Sequence, residues 1–434
     1  MRNFVLALQH VLAMFGATVL VPLITGLNPG VALFTAGAGT LMFHFISGGQ
    51  VPVFLGSSFA FIAGILTVKA IPGLGLEHAT GAFLGVGVVY IVMAALVYFV
   101  GPDRVKKVFP PIVTGPIIIV IGLILAPVAI DMATSNWTVA LITMAAVILT
   151  GIVSKGFFRF IPILTGVIIG YIAALIFGLV DLTPVMETGW LRLPAFAAPK
   201  FSLQAFSIIV PIALVTMIEH IGDITTNGAV VGKNFFEKPG LHRTLLGDGV
   251  ATALAGFLGG PANTTYGENT GVLAVTKNYN PSILRTAAGI AIVLSFIGKF
   301  GALIQTIPPA VMGGVSFILF GMIASIGIKT LVDNAPDLAN LRNSSVVFII
   351  LITGILGIMD QGVLGLDKVQ NPLTISLTSQ ASLSGLSLAA LLGVILNWVI
   401  GLIPDRVEEE AAAQSYSGSK VPSVAKKIKE DKVL

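Results

Sequence analysis

Pro261-Ala262-Asn263-Thr264-Thr265-Tyr266-Gly267-Glu268-Asn269-Thr270-Gly271, running on through Val272 to Thr276 and Lys277, is the stretch that decides the fold. A polar, small-residue approach leads into an apolar span, 266–276, that is only 11 residues long. Eleven helical residues rise about 16 Å, roughly half of a ~30 Å hydrocarbon core. Such an element cannot cross a bilayer as a lipid-exposed helix. Irregular backbone at membrane depth is tolerated only where protein or an aqueous cavity surrounds it. The stretch therefore reads as a short β-like approach and a broken half-helix at the midplane, lining a site. Pro52 to Lys69 repeats the arrangement, with Gly56-Ser57-Ser58 leading into a second short span, 59–69.

The rest of the chain supplies the membrane around these two spans. Of 434 residues, 55% are hydrophobic and 10% charged, with a mean hydropathy of +0.97. Soluble domains carry about 25% charged residues, so a soluble enzyme and a disordered chain are both excluded. Apolar segments fall at 4–27, 30–48, 59–69, 78–100, 110–130, 137–153, 160–180, 205–225, 243–260, 266–276, 282–306, 308–328, 344–359 and 383–403. This predicts an all-α polytopic membrane protein of 14 transmembrane segments. Nineteen of the 24 Lys and Arg then lie on the side of the N-terminus, among them Arg104, Lys106, Lys107, Lys155, Arg159 and six in the tail. The opposite loops hold Lys69, Arg192, Lys200 and Lys368, and Lys299 falls inside a span. A positive-inside bias of this kind places both termini in the cytoplasm. It also accounts for the net charge of +4, so nucleic-acid binding does not follow. There is no cysteine, which excludes disulfides and thiolate metal sites. The five histidines are scattered without ligand spacing, and no nucleophile–base pair or metal cluster points to an enzyme. The first apolar run, from Phe4, lasts too long for the h-region of a signal peptide.

Three pairs of similar segments recur in the same order. Gln9-His10 matches Glu219-His220 at an offset of 210, and Pro52 to Lys69 matches Pro261 to Lys277 at 209. Pro110-Pro111-x-Val113-x-Gly115 matches Pro308-Pro309-x-Val311-x-Gly313 at 198. Each half then holds seven spans. Because seven is odd, the second half enters the membrane from the opposite side. Two inverted seven-span repeats with paired broken helices at the midplane are the pattern of secondary transporters.

Acids mark the site this pattern anticipates. Glu219 lies deep in an apolar span and Glu268 opens the second short span. A charge at the centre of a spanning helix costs about 2.5–3.5 kcal/mol on insertion scales, and no intramembrane Lys or Arg is placed to neutralise both. A carboxyl group taken out of water readily accepts a proton. Two acids that alternate between charged and neutral can bind a polar ligand and carry H⁺. Asp223 follows Glu219 by four residues, on the same helical face, where it serves either a proton relay or a helix cap. Asp248, in Gly247-Asp248-Gly249, reads as a residue that orients Glu219 or accompanies a backbone break. Gln9 and His10 read as interhelical hydrogen-bond formers. Phe59 and Tyr266, one in each short span, could flank a planar ligand by stacking.

These residues carry a resemblance to the nucleobase–ascorbate transporter family, and within it to the bacterial uracil permease branch. The likeness extends over nearly the whole chain, from Leu8-Gln9-His10 and Met14 to Pro22 onward. Its most specific piece is the family signature, here Glu268-Asn269-Thr270-Gly271 followed by Thr276-Lys277. An acid at the first signature position resembles the uracil branch, whereas xanthine and urate carriers tend to have Gln there. The resemblance implies a core domain, 1–100 with 201–307, and a gate domain, 101–200 with 308–403, followed by a polar cytoplasmic tail, 404–434. It also implies a homodimer in the lipid bilayer of the cytoplasmic membrane and proton-coupled symport of uracil. No cofactor is implied beyond the proton as coupling ion. Substrate contacts map to Glu219 and Glu268, with Phe59, Tyr266 and Gly267 around the base and Ala17, Ser316 and Phe320 as walls. Glu219 and Asp223 would couple the proton, with Asn269, Asp248, His220 and Gln9 in support. Asp223 stands where some bacterial uracil permeases carry a second His. A xanthine or other purine carrier is the alternative within the class, and an anion transporter or channel of the same inverted-repeat fold is the alternative outside it.

Overall fold

The computed structural model describes residues 2–102, 104, 108–334, 336–359, 375–378, 381–383 and 385–403. The tail 404–434 and three members of the charge tally, Lys106, Lys107 and Lys368, lie outside the described residues. The first half contains α1 (Arg2–Thr25), α2 (Pro29–Ile46), β1 (Leu55–Ser57), α3 (Ile62–Ala70), α4 (Leu76–Val100), α5 (Pro111–Thr134), α6 (Trp137–Val153) and α7 (Pro162–Ile176). The second contains α8 (Leu203–Val231), α9 (Leu241–Phe257), β2 (Asn263–Thr265), α10 (Gly267–Thr276), α11 (Pro281–Ser295), α12 (Pro309–Asn334), α13 (Leu341–Met359) and α14 (Gly385–Gly401). Six described helices are long and apolar enough to cross a membrane unaided: α1, α2, α4, α5, α8 and α12.

Local chemistry sets the helix starts. The Asn28, Asn136 and Asn280 side chains accept from Val31 N (3.1 Å), Val139 N (3.1 Å) and Ser282 N (3.0 Å), satisfying N–H groups that have no partner within the helix. α5 and α12 each begin on the second Pro of the repeated Pro-Pro, where a missing N–H costs nothing. Several boundaries differ from the sequence reading, α12 among them, which runs to Asn334 where 328 was expected. α8 continues six residues past 225, to Val231, and closes on Gly232, whose left-handed φ of +74° suits glycine and whose N–H donates to Gly228 O at 2.8 Å. The predicted span 282–306 is two helices, α11 and Gly298–Gln305. Ile297 breaks it by bridging to Leu191, and Gly298 N donates to Trp190 O at 2.9 Å.

β1 and β2 pair antiparallel, with Leu55 opposite Thr265, Gly56 opposite Thr264 and Ser57 opposite Asn263. Ser58 N to Ala262 O (2.8 Å) and Tyr266 N to Phe54 O (3.0 Å) extend the ladder. A two-stranded ribbon is marginal in water, but all six residues here are buried. Neighbouring helices satisfy its remaining polar groups. Thr40 Oγ1 of α2 accepts from Leu55 N (2.9 Å), and Thr252 Oγ1 of α9 donates to Asn263 O (2.8 Å). Each short helix, α3 and α10, thus starts from a strand that the other repeat holds in place.

Helix packing follows the same inversion. The most extensive contact joins α5 to its repeat mate α12. The next, α4 with α9, has its counterpart in α11 with α2, and α6–α7 has its counterpart in α13–α14. Small residues permit this closeness, as is usual where lipid removes the hydrophobic drive between helices. A Cβ on Gly115 would stand 3.0 Å from Gly327 O, and one on Gly327 would stand 2.6 Å from Gly115 O.

Candidate functional site

Glu219, Asp223 and Asn227 follow one another at intervals of four along α8 and form a polar stripe on one face. Asp223 Oδ2 accepts from Thr265 Oγ1 of β2 at 2.7 Å. Asn227 Nδ2 donates to Pro52 O (2.9 Å) and to Thr270 Oγ1 of α10 (3.1 Å). The stripe therefore binds α8 to both strand approaches. Asp223 is no helix cap, because α8 runs on to Val231 and its carboxylate is turned to Thr265.

Glu268 stands in the first turn of α10, where backbone N–H groups lack partners within the helix. Gly267, just before it, is exposed, and a Cβ there would meet only Asp223 Oδ1, at 3.8 Å. Glu219 lies within electrostatic reach of Asp223, Asp248 and Glu268. Glu219 is partly buried, and its Oε2 has no hydrogen-bond partner among the described residues. Asp223 thus stands beside Gly267 at the start of α10, and Glu219, one turn before it on α8, has polar capacity to spare. Among the described residues, no group of three or more His, Cys, Asp or Glu is placed to hold a metal.

The two repeat-matched rings have different surroundings. Tyr266 lies against Gly56, where any Cβ would strike its ring and approach Thr18 Oγ1 to 2.7 Å. Its hydroxyl donates to Ser57 O (3.0 Å) and accepts from Thr18 Oγ1 (3.4 Å). Phe59 instead meets Phe320 of α12 edge-on, with ring centroids 6.4 Å apart and planes at 73°. Ser316 lies one turn before Phe320 and is buried, with its Oγ unpartnered. Ala17 is buried on α1 beside Thr18.

The supporting residues separate into two groups. Asn269 Nδ2 contacts His10 Nδ1 (3.1 Å) and donates to His10 O (3.0 Å), tying α1 to α10. Gln9, its neighbour, has a buried Oε1 without a partner. His220 Nδ1 lies 3.3 Å from Asp248 Oδ2, both side chains fully buried. Asp248 therefore faces His220, the residue after Glu219, and its carboxylate also lies within electrostatic reach of Glu219 itself. Tyr90 OH donates to Thr216 Oγ1 at 2.9 Å beside this pair.

Sequence reasoning passed over Thr18, Ser57, Thr265 and Asn227. The four-residue spacing from Asp223 was the available signal for Asn227, and the repeat match of the two polar approaches was the signal for Ser57 and Thr265. Thr18 carried none, since a Thr in an apolar helix commonly bonds its own backbone.

The family model Xan_ur_permease, described as a permease family, matches residues 1–362. The chain is 44% identical over 424 residues to the uracil permease of Bacillus subtilis (strain 168), covering 93% of each protein. The chain belongs to the nucleobase–ascorbate transporter family. The uracil permease of Escherichia coli (strain K12) is 38% identical over 414 residues, 93% of this chain and 92% of that one. Solved structures share the fold of this transporter at low identity. SLC26A9 matches at TM-score 0.66 and 10% identity, covering 92% of this chain and 64% of that one. The transmembrane domain of the cyanobacterial bicarbonate transporter BicA matches at TM-score 0.56 and 15% identity, covering 92% and 97%. The permease is therefore a polytopic helical membrane protein of the inverted-repeat transporter fold.

Proposed function

We propose that this chain is a secondary active transporter that carries uracil together with a proton across the cytoplasmic membrane. One observation carries the reading: Glu219 of α8 keeps a buried oxygen without a partner among the described residues, and Asp223, one turn further on, lies beside Gly267 where Glu268 opens α10. Uracil presents N1–H and N3–H donors flanked by the O2 and O4 acceptors. An ionised carboxylate accepts from N–H, a protonated one donates to a carbonyl, and the free N–H groups opening α10 can meet O2 or O4. Phe59 and Phe320 would cover the base, with Ala17 and Ser316 beside it. An analogue lacking one donor leaves a carboxylate unsatisfied, which supplies specificity. The names of the relatives in B. subtilis and E. coli support uracil as the substrate.

The remaining features follow from this reading. Helices α1–α4 and α8–α11 form a core that holds the acids, and α5–α7 and α12–α14 form a gate against which it rocks. Both termini lie in the cytoplasm, and two copies associate in the bilayer. A purine nucleobase is the competing cargo. The cyanobacterial relative in fold transports bicarbonate, and an anion reading would want a basic residue at the half-helix starts, where this chain has Glu268. The test is uptake of radiolabelled uracil, xanthine and uric acid by cells lacking their own carrier, with and without a protonophore. Uracil alone is expected to accumulate, and the protonophore to abolish accumulation. Accumulation of a purine in place of uracil would overturn the substrate assignment.

A further inference from the structure

Among the cavities that the transport reading leaves unused, one is strongly basic. It has a volume of about 560 Å³ and is lined by Gln50 after α2, by Lys233 and Lys238 after α8, and by Tyr279 and Pro281 between α10 and α11. This is the size of a small-molecule pocket, which runs from roughly 300 to 1,000 Å³. One guanidinium group stands at the cavity wall and a second lies one residue further off. A Cβ on Gly49, another wall residue, would stand 2.7 Å from Arg285 Nη1, and one on Gly48 would stand 4.0 Å from Arg243 Nη1. Both glycines have φ of +65°, a conformation that a side chain would strain, so the turn stays bare under the two arginines.

Two lysines therefore line one concavity, and the Arg285 guanidinium stands beside its Gly49 wall. The ion pairs among the described residues are Lys200–Glu77 and His220–Asp248, and neither involves Lys233, Lys238 or Arg285. Glu237 is the carboxylate on the wall, and its Oε1 accepts from Asn234 Nδ2 at 2.7 Å. Positive-inside placement explains the sign of these side chains; it does not explain why the loop after α8 and the helix α11 bring them to one cavity. Three positive charges against one negative focus a potential that attracts anions. The fork of an arginine and the point charge of a lysine both suit phosphate oxygens.

We infer that this cavity binds the phosphate group of a small phosphate ester; its assignment to the cytoplasmic side, though not the binding itself, rests on the orientation proposed above. The cavity also touches the ends of the elements that hold the acids. Gln50 leads to Pro52, whose carbonyl holds Asn227; Val231 ends α8; Tyr279 follows α10. A bound ester ties these ends together.

The same phosphate chemistry could come from a soluble ester or from a lipid headgroup, and calorimetry separates the two. The full-length protein in nanodiscs of zwitterionic lipid is titrated with uridine 5′-monophosphate, inorganic phosphate and phosphate-free uridine. Melting is then followed in nanodiscs with and without phosphatidylglycerol. Saturable binding of the monophosphate, with none of uridine, is expected. The triple variant Lys233→Gln, Lys238→Gln, Arg285→Gln is expected to weaken it at least tenfold, while Lys233→Arg with Lys238→Arg retains it and checks that the loop still folds. Stabilisation by phosphatidylglycerol that the triple variant loses, without binding of a soluble ester, would assign the phosphate to a lipid. Absence of both effects, binding indifferent to the triple variant, or competition between the monophosphate and uracil would overturn the inference. Uracil titrated into the same samples is expected to bind both proteins equally. Failure of uracil to bind the unmutated protein would count against the transport reading alone.

Discussion

Glu268 and Glu219 divide the work of the proposed site by position. Glu268 opens a helix whose first N–H groups are free to meet a ligand, so its carboxylate is the fixed acceptor for a substrate N–H. Glu268→Gln keeps the shape and removes the charge. Uracil affinity, measured by calorimetry on the purified protein, is expected to fall at least tenfold, in line with the roughly 1.5–3 kcal/mol of a hydrogen bond to a charged group. Unchanged affinity would reject its role as a ligand. Glu219 sits mid-helix among three other carboxyl groups, and its protonation would remove one of several like charges facing the substrate. A proton and a neutral base would then bind together, so uptake is expected to rise as external pH falls. Glu219→Gln mimics the protonated state permanently. It is expected to keep some substrate binding or exchange and to lose pH-driven accumulation. Accumulation that persists in this variant and still collapses with a protonophore would move the proton site to Asp223, whose bond to Thr265 makes it the next candidate.

The paired strands are the element on which the site depends, and their tolerance is narrow. Gly56 faces the Tyr266 ring with no room for a Cβ. Gly56→Val is expected to destabilise by about 1–3 kcal/mol, the usual range for overpacking, and to abolish uracil binding, with melting and calorimetry as the readouts. An unaltered melting temperature would mean that Tyr266 does not occupy that face. Between the proposed core and gate, Tyr171 OH on α7 lies 2.7 Å from Thr306 Oγ1. Because the chain has no native cysteine, Cys pairs can be placed there without background. A short cleavable crosslink between Tyr171→Cys and Thr306→Cys is expected to block transport, preserve uracil binding and release on reduction. Transport that continues through the crosslink would show that these helices do not move apart during the cycle.

For the whole molecule, orientation and inversion stand or fall together. If the positive face is cytoplasmic, a membrane-impermeant maleimide applied to intact cells is expected to label Asp181→Cys and to spare Lys155→Cys. Both side chains are exposed at opposite ends of α7 and its flanking loops, so accessibility to the reagent is decided by the membrane alone. The reverse labelling pattern would invert the topology and place the phosphate cavity outside the cell. The repeat is already visible in the packing, since α5 meets α12 and the α4–α9 contact is mirrored by α11–α2.

Much of this was legible in the chain before any coordinates. Hydropathy and charge add up locally, so composition sufficed for a membrane protein, and the 11-residue spans sufficed for broken helices. The offset repeats then required inversion and matched the two short spans to each other, whereas Glu219 and Glu268 lie in the same half and were assigned together by the family resemblance. What tertiary structure alone decided is which side chains meet. Thr18 reaches Tyr266 across 248 residues, Asn269 reaches His10 across 259, and Asp223 finds Thr265 instead of capping its helix. These contacts depend on how each helix is rotated about its own axis. A helix that is apolar on every face gives no periodic signal of that rotation. Close approach of glycine-bearing backbones fixes it only when the helices pack together.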